Sequence, residues 1–219
     1  VVDGSDELKS AKDLFIEESH SRSTVKVRPP LDRIIFRQSS DDSPNAFAYG
    51  THTIVVTKGL FSVFDVRDPH DMETVLGVLA HEHGHLAHRD GIALEIWDTC
   101  FNLPSCLFWI LGKLCYFVGT VFSIVPYIGS FLGELLKLIS QLVLALALSL
   151  TNFTRKLCRV VTGRSEERNA DRHAARLGFG DGIIRFLRVF GIDEGGGFDE
   201  HPNNGKRIDV VEAEMQRIE

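Results

Sequence analysis

Leu79-Ala80-His81-Glu82-His83-Gly84-His85-Leu86 is the stretch on which the reading of this chain turns. His81 and His85 stand at i and i+4. In a helix they lie one turn apart on the same face, and both imidazoles can reach one zinc ion at about 2.0–2.1 Å. Glu82 is rotated off that face, so it cannot ligate with them but can contact a water beside the ion. The helix is predicted independently of the motif. Asp68 is a good N-cap, Pro69 suits the first helical position, and Asp71 and Glu73 favour the positive end of the helix dipole. Met72, Val75, Leu76, Leu79 and Leu86 recur at helical spacing and mark its buried stripe. HExxH is short enough to arise by chance, and this helical context is what gives it weight.

Two further histidines occupy the same helix. His83 points with Met72, Leu79 and Leu86 and reads as a hydrogen-bonded core residue. His88 shares the face of His81 and His85, but seven residues from His81 is a rise of about 10 Å, too far for all three to bind one tetrahedral ion. The longer pattern HExxHxxGxxH needs Gly at 88 and His at 91, whereas the chain has His88 and Gly91. The remaining common solution is a carboxylate from a separate helix. Ser165-Glu166-Glu167-Arg168-Asn169-Ala170-Asp171 supplies one. Glu167 and Asp171 are at i and i+4, so one can ligate while the other accepts a hydrogen bond from a ligand histidine. Standing alone, this segment would read as a solvated acidic helix start. The adjacent Glu166 leaves a one-residue ambiguity.

The chain has 219 residues, 25% of them charged, and a net charge of -6, with no basic run that would suggest a nucleic-acid surface. That balance conceals a segregation: between Phe101 and Leu150 only Lys113, Glu134 and Lys137 are charged. Leu103–Val125 and Tyr127–Leu150 are apolar runs of 23 and 24 residues joined at Pro126. Each is long enough as a helix to cross a bilayer core of about 30 Å. The alternative is a buried soluble hairpin, for which so long an apolar block is excessive in so small a protein. The ligand candidates flank this block, so one metal site requires an even number of crossings. Arg155, Lys156, Arg159 and Arg164 follow at once, and the positive-inside rule puts that side in the cytoplasm. The division is then 1–100 and 151–219 for the two parts of one domain, with 101–150 as an inserted transmembrane hairpin.

Ser5 to about His20 reads as an amphipathic helix. Arg33–Arg37, Ala46–Tyr49 and His52–Thr57 read as strands, with Ser39–Asn45 a turn. Ser165 to about Leu177 and Asp181–Phe190 read as helices, Gly195–Gly197 as a loop, and a last helix follows Asn203. Cys100, Cys106, Cys115 and Cys158 are spaced neither as CxxC nor as a disulfide framework and read as buried free thiols. The chain opens at Val1 without a signal-peptide pattern, which reads as a fragment or a trimmed chain.

Taken in order, Asn45-Ala46-Phe47-Ala48, Ile54-Val55-Val56-Thr57, the His81–His85 motif, Glu167-Arg168-Asn169-Ala170-Asp171, His201-Pro202 and Arg207-Ile208 resemble the HtpX group of membrane zinc peptidases. The wider family includes the CAAX prenyl proteases. The resemblance covers most of the chain. It implies an α+β fold, a mainly helical zincin-type domain with a small sheet. It also implies one zinc ion on His81, His85 and Glu167, Glu82 as the general base, and Asp171 in support of the ligands. Asn45 would lie on the substrate-binding edge, with His201 and Arg207 near the substrate or oxyanion. The expected activity is hydrolysis of peptide bonds in membrane proteins, as quality control, in a bacterial inner membrane with the site facing the cytoplasm. A protease for one processing site, such as a prenylated tail, and a non-catalytic scaffold of the same fold are the alternatives. His83 departs from the family, which usually has an apolar residue there. Oligomeric state is not legible.

Overall fold

A computed structural model describes residues 4–190 and 203–218. The elements in order are α1 (Asp6–Arg22), a 3-10 turn (Leu31–Arg33), β1 (Ile35–Ser39), β2 (Ala46–Tyr49), β3 (Thr53–Thr57), α2 (Lys58–Val63) and α3 (Pro69–His88). There follow α4 (Asp90–Phe122), α5 (Ile128–Arg176), α6 (Gly180–Phe190) and α7 (Asn204–Ile218). The fold is thus α+β and mainly helical. It divides into two compact units, one of residues 1–93 with 160–219 and one of residues 94–159.

The first unit is built around α3. Asp68 caps it, its carboxylate accepting from the N–H groups of His70 at 2.8 Å and Asp71 at 3.1 Å. Val75, Leu76 and Leu79 are almost wholly buried against Phe15 and Leu8 of α1, Ile54 and Val56 of β3, and Ile183 and Leu187 of α6. Helices α3 and α6 approach very closely where two glycines meet. A Cβ on Gly77 would run into the backbone nitrogen of Ile183, and one on Gly182 into the carbonyl oxygen of Glu73.

The sheet has the order β1-β3-β2, with β1 parallel and β2 antiparallel to the central β3. The first strand starts two residues later than its composition suggests. Leu31–Arg33 instead closes a 3-10 turn that buries Leu31, and pairing begins with Ile35 opposite Thr53. As an outer strand, β2 keeps one edge free of strand pairing and turns it toward α3.

The second unit is a helical hairpin. Ser105–Phe122 and Ile128–Lys156 are long and apolar enough to cross a membrane, and only 11% of each apolar window is buried. The helices meet through small residues: Ser140 Oγ donates to the carbonyl of Gly112 at 2.6 Å, and a Cβ on Gly119 would stand 2.8 Å from the carbonyl oxygen of Gly133. The turn is longer than Pro126 alone suggests, occupying the residues between Phe122 and Ile128 with Tyr127 left-handed at φ 62°. The polar helix expected to begin at Ser165 is instead the last part of α5, whose backbone runs unbroken for 49 residues. Gly163 alone costs only about 1 kcal/mol in a helix, too little to break one that is packed. Gly195–Gly197 and His201 lie outside the described residues. Cys100 and Cys106 are exposed and Cys115 is intermediate, so these thiols are not core residues.

Candidate metal centre

Three side chains from two helices converge. His81 and His85 come from α3, and Glu167 from α5. Their ligand atoms all lie within 4.8 Å of one another, the one such group among the described residues. The Nε2 atoms of His81 and His85 are 3.2 Å apart; Glu167 Oε2 is 3.4 Å from the first and Oε1 is 3.8 Å from the second. Ligands about 2.0–2.1 Å from a tetrahedral ion are spaced by about 3.3 Å. The triangle therefore has the size such an ion needs, and its two imidazoles and one carboxylate suit a divalent metal.

Each histidine is oriented through its other nitrogen. His81 Nδ1 is 2.9 Å from Asp171 Oδ1 and His85 Nδ1 is 2.8 Å from Asp90 Oδ2, which turns both Nε2 atoms toward Glu167. Asp171 was legible as the i+4 partner of Glu167. Asp90 was not, because α3 ends at His88 and Arg89 takes a left-handed conformation, φ 59°, before α4 begins. That break, unusual for a residue other than glycine, brings the Asp90 carboxylate back toward His85. A search for carboxylates within a turn of the motif would have flagged it.

Arg207 enters from α7. Its Nε and Nη2 each donate to Asp171 at 2.8 Å, and Nη2 also lies 3.0 Å from Glu167 Oε2. The side chain is buried and bridges the two carboxylates, with Nη2 also 3.5 Å from His81 Nε2. Burial alone would lower the Arg207 and His81 pKa values and raise that of Asp171. Mutual hydrogen bonding outweighs it: Arg207 is raised, Asp171 is lowered, and His81, with Asp171 and Glu167 as partners, is raised to about 10.

Glu82 lies off the ligand face, 8% exposed, and its Oε2 accepts from the backbone N–H of Ala48 at 2.7 Å. Burial pushes its pKa up. Ala48 pairs with Ile54 across the sheet, so this N–H belongs to the free edge of β2. Asn45 stands exposed at the head of that strand. Its Oδ1 accepts from Ala46 N–H at 2.9 Å, and its backbone N–H donates to Thr57 Oγ1 at 2.9 Å. His83 is wholly buried, as its face predicts. His88 turns away from the triad: its Nδ1 donates to the carbonyl of Gly84 at 2.8 Å, and its ring lies edge-on to His173.

The chain is similar to known proteins. A "Protease HtpX homolog" of Acidiphilium cryptum is 28% identical over 159 residues, 71% of this chain and 47% of that protein. A "Protease HtpX homolog 1" of Saccharolobus solfataricus is 29% identical over 154 residues, 67% and 43% of the two chains. A third relative, from Thermoplasma acidophilum and also a "Protease HtpX homolog", is 45% identical over 82 residues, 36% and 23%. The chain therefore spans less than half the length of each of these relatives. The sequence profile of peptidase family M48 matches residues 15–215, from within α1 through both candidate metal-site helices into α7, and the chain belongs to that family.

Proposed function

We propose that this protein is a zinc-dependent endopeptidase, with the metal held by His81, His85 and Glu167 and with Glu82 as the general base. The observation that carries this reading is the position of Glu82. It follows a ligand histidine in α3, yet its carboxylate is fastened to the edge strand β2 at Ala48. A peptide added to that edge in extended form would pass between the strand and the ligands, within reach of the base. Zinc would supply a Lewis acid for the scissile carbonyl and lower the pKa of a water. Glu82 would take that water's proton during attack and return it to the leaving amine. Asp171 and Asp90 would keep the imidazoles turned toward the ion, and Arg207 would hold Asp171 and Glu167 in register. Asn45, by fixing the head of β2, would set where the peptide starts to pair.

Edge-strand binding demands an extended substrate, so unfolded polypeptides should be cut in preference to folded ones, as a quality-control role requires. The test is cleavage of casein and of a tightly folded globular protein by the purified chain, with zinc and after chelation. We expect casein cleavage that chelation abolishes and zinc restores, and little attack on the folded protein. Cleavage indifferent to chelation would overturn the reading. The ligand register has its own test: Glu167→Ala should weaken zinc binding at least about tenfold more than Glu166→Ala, since loss of an oriented group near a metal already costs about 10–100-fold. Equal losses, or the reverse order, would overturn the register taken from Asp171.

Residues 101–150 would form a transmembrane hairpin inserted between the two parts of the protease domain, 1–100 and 151–219. The apolar surface of both helices supports this, as does the basic cluster from Arg155 to Arg164, which favours a cytoplasmic site. In a cysteine-free background, single cysteines near Gly91 and Gly163 should be shielded from an impermeant thiol reagent in intact cells, and one at Ser130 should be labelled. Labelling of one flank alone would rule out two crossings.

A further inference from the structure

The imidazoles of His83 and His173 form a second buried cluster on the ligand helices that the zinc site does not use. His83 Nδ1 and His173 Nε2 are 2.8 Å apart, and the rings stack at 5.0 Å between centroids. His83 is wholly buried and His173 is 8% exposed. The other nitrogen of His83, Nε2, lies 2.9 Å from the carbonyl oxygen of Pro29.

The proton positions follow from the acceptors. A carbonyl oxygen only accepts, so His83 Nε2 carries a proton and donates to Pro29. A neutral imidazole carries one N–H, and in His83 it is spent on Pro29. His83 Nδ1 is then bare, and His173 Nε2–H must donate to it. The bond is directional, running from α5 to α3 to the Pro29 carbonyl. It is not a second metal site. Two nitrogens on one tetrahedral ion are spaced by about 3.3 Å, these are closer, and both nitrogens of His83 are already committed.

Its place in the fold gives the bond a use. Helices α3 and α5 touch where Gly84 meets Ala170: a Cβ on Gly84 would stand 2.7 Å from the Ala170 Cα. That contact lets the helices come close but does not set their rotation or stagger. Glu167 and Asp171 lie before His173 on α5; His81 and His85 flank His83 on α3. A directed hydrogen bond between the two helices, one residue from Gly84, limits that freedom, beside the His81–Asp171 contact that also bridges α3 and α5. It thereby helps set where Glu167 stands relative to the two imidazoles.

We propose that His83 and His173 are a positioning pair, an interhelical hydrogen bond that holds the third ligand in register with the first two. The proposal rests on the zinc-peptidase reading, and its test separates the two. Zn2+ affinity of the purified chain is measured by competition with a chromophoric chelator, with circular dichroism as the check on folding. His173→Leu should bind Zn2+ about 10–100-fold more weakly than wild type while remaining folded. His173→Gln, whose amide N–H can stand where Nε2–H does, should recover most of that affinity. Casein cleavage by His173→Leu should return toward the wild-type rate at saturating Zn2+, because neither ring touches metal or substrate. Should His173→Leu fail to fold, His173→Asn replaces it: polar but too short to reach His83 Nδ1, it should show the same weakened binding. Wild-type affinity in His173→Leu or His173→Asn, or a Gln variant as weak as Leu, would overturn the pair. A wild type that binds no Zn2+ would instead overturn the peptidase reading itself.

Discussion

Glu82→Gln should keep one zinc ion per chain and lose about 10²–10⁴-fold in peptide hydrolysis, the range that a positioned general base contributes. The substitution preserves size and leaves a carbonyl oxygen that can still accept from Ala48 N–H, as Glu82 Oε2 does at 2.7 Å. His81, His85 and Glu167 are untouched, as are the carboxylates behind the two imidazoles. What disappears is a group able to take a proton. His85→Ala is the contrasting variant, since it removes a proposed ligand and should lose the metal with the activity. Metal content and casein cleavage measured on the two proteins separate the roles. A Glu82→Gln protein stripped of zinc, or one that still cleaves, would show that Glu82 is not the base.

The ligand-bearing helices were legible for unequal reasons. Helix α3 announced itself through local chemistry: a capping Asp68, Pro69 at the first turn and an apolar stripe that the core indeed buries. The continuity of α5 was hidden because composition reports surroundings rather than backbone. An apolar half and a polar half looked like two elements, and no residue between them is a strong breaker. Pairing within one helix was readable from spacing, as with Glu167 and Asp171. Pairing across the fold was not. The burial of His83 followed from its face, but its partner lies 90 residues away, and periodicity cannot name it. Asp90 escaped because the left-handed Arg89 interrupts the helical count that would have located it. His88 shows the converse limit, since its face alone gave no sign that its side chain would hydrogen-bond back to Gly84 and leave the metal side.

Arg207→Ala should destabilise the metal-free protein by about 3–5 kcal/mol, the usual cost of removing one partner of a buried ion pair. Asp171 is 0% exposed and takes two 2.8 Å hydrogen bonds from the guanidinium; without them it keeps His81 as its partner in a site that also holds Glu167 and Glu82. The same loss should act oppositely on the gain from zinc. Arg207 Nη2 lies 3.0 Å from Glu167 Oε2, so the arginine places a positive charge beside a proposed ligand and repels an incoming cation. With it gone, the metal becomes the main compensation for the clustered carboxylates. The rise in melting temperature between chelated and zinc-loaded protein should therefore be larger in Arg207→Ala than in wild type, although both variant values lie lower. Arg207→Lys should fall between, because an ammonium keeps the charge but cannot bridge Asp171 and Glu167 with a planar fork. Thermal unfolding of the three proteins with zinc and with chelator provides the measurement. An unchanged melting temperature in the chelated Arg207→Ala protein, together with a lowered kcat, would favour the role near substrate or oxyanion that the resemblance implies for Arg207. A smaller gain from zinc would mean that its charge assists the ligand set.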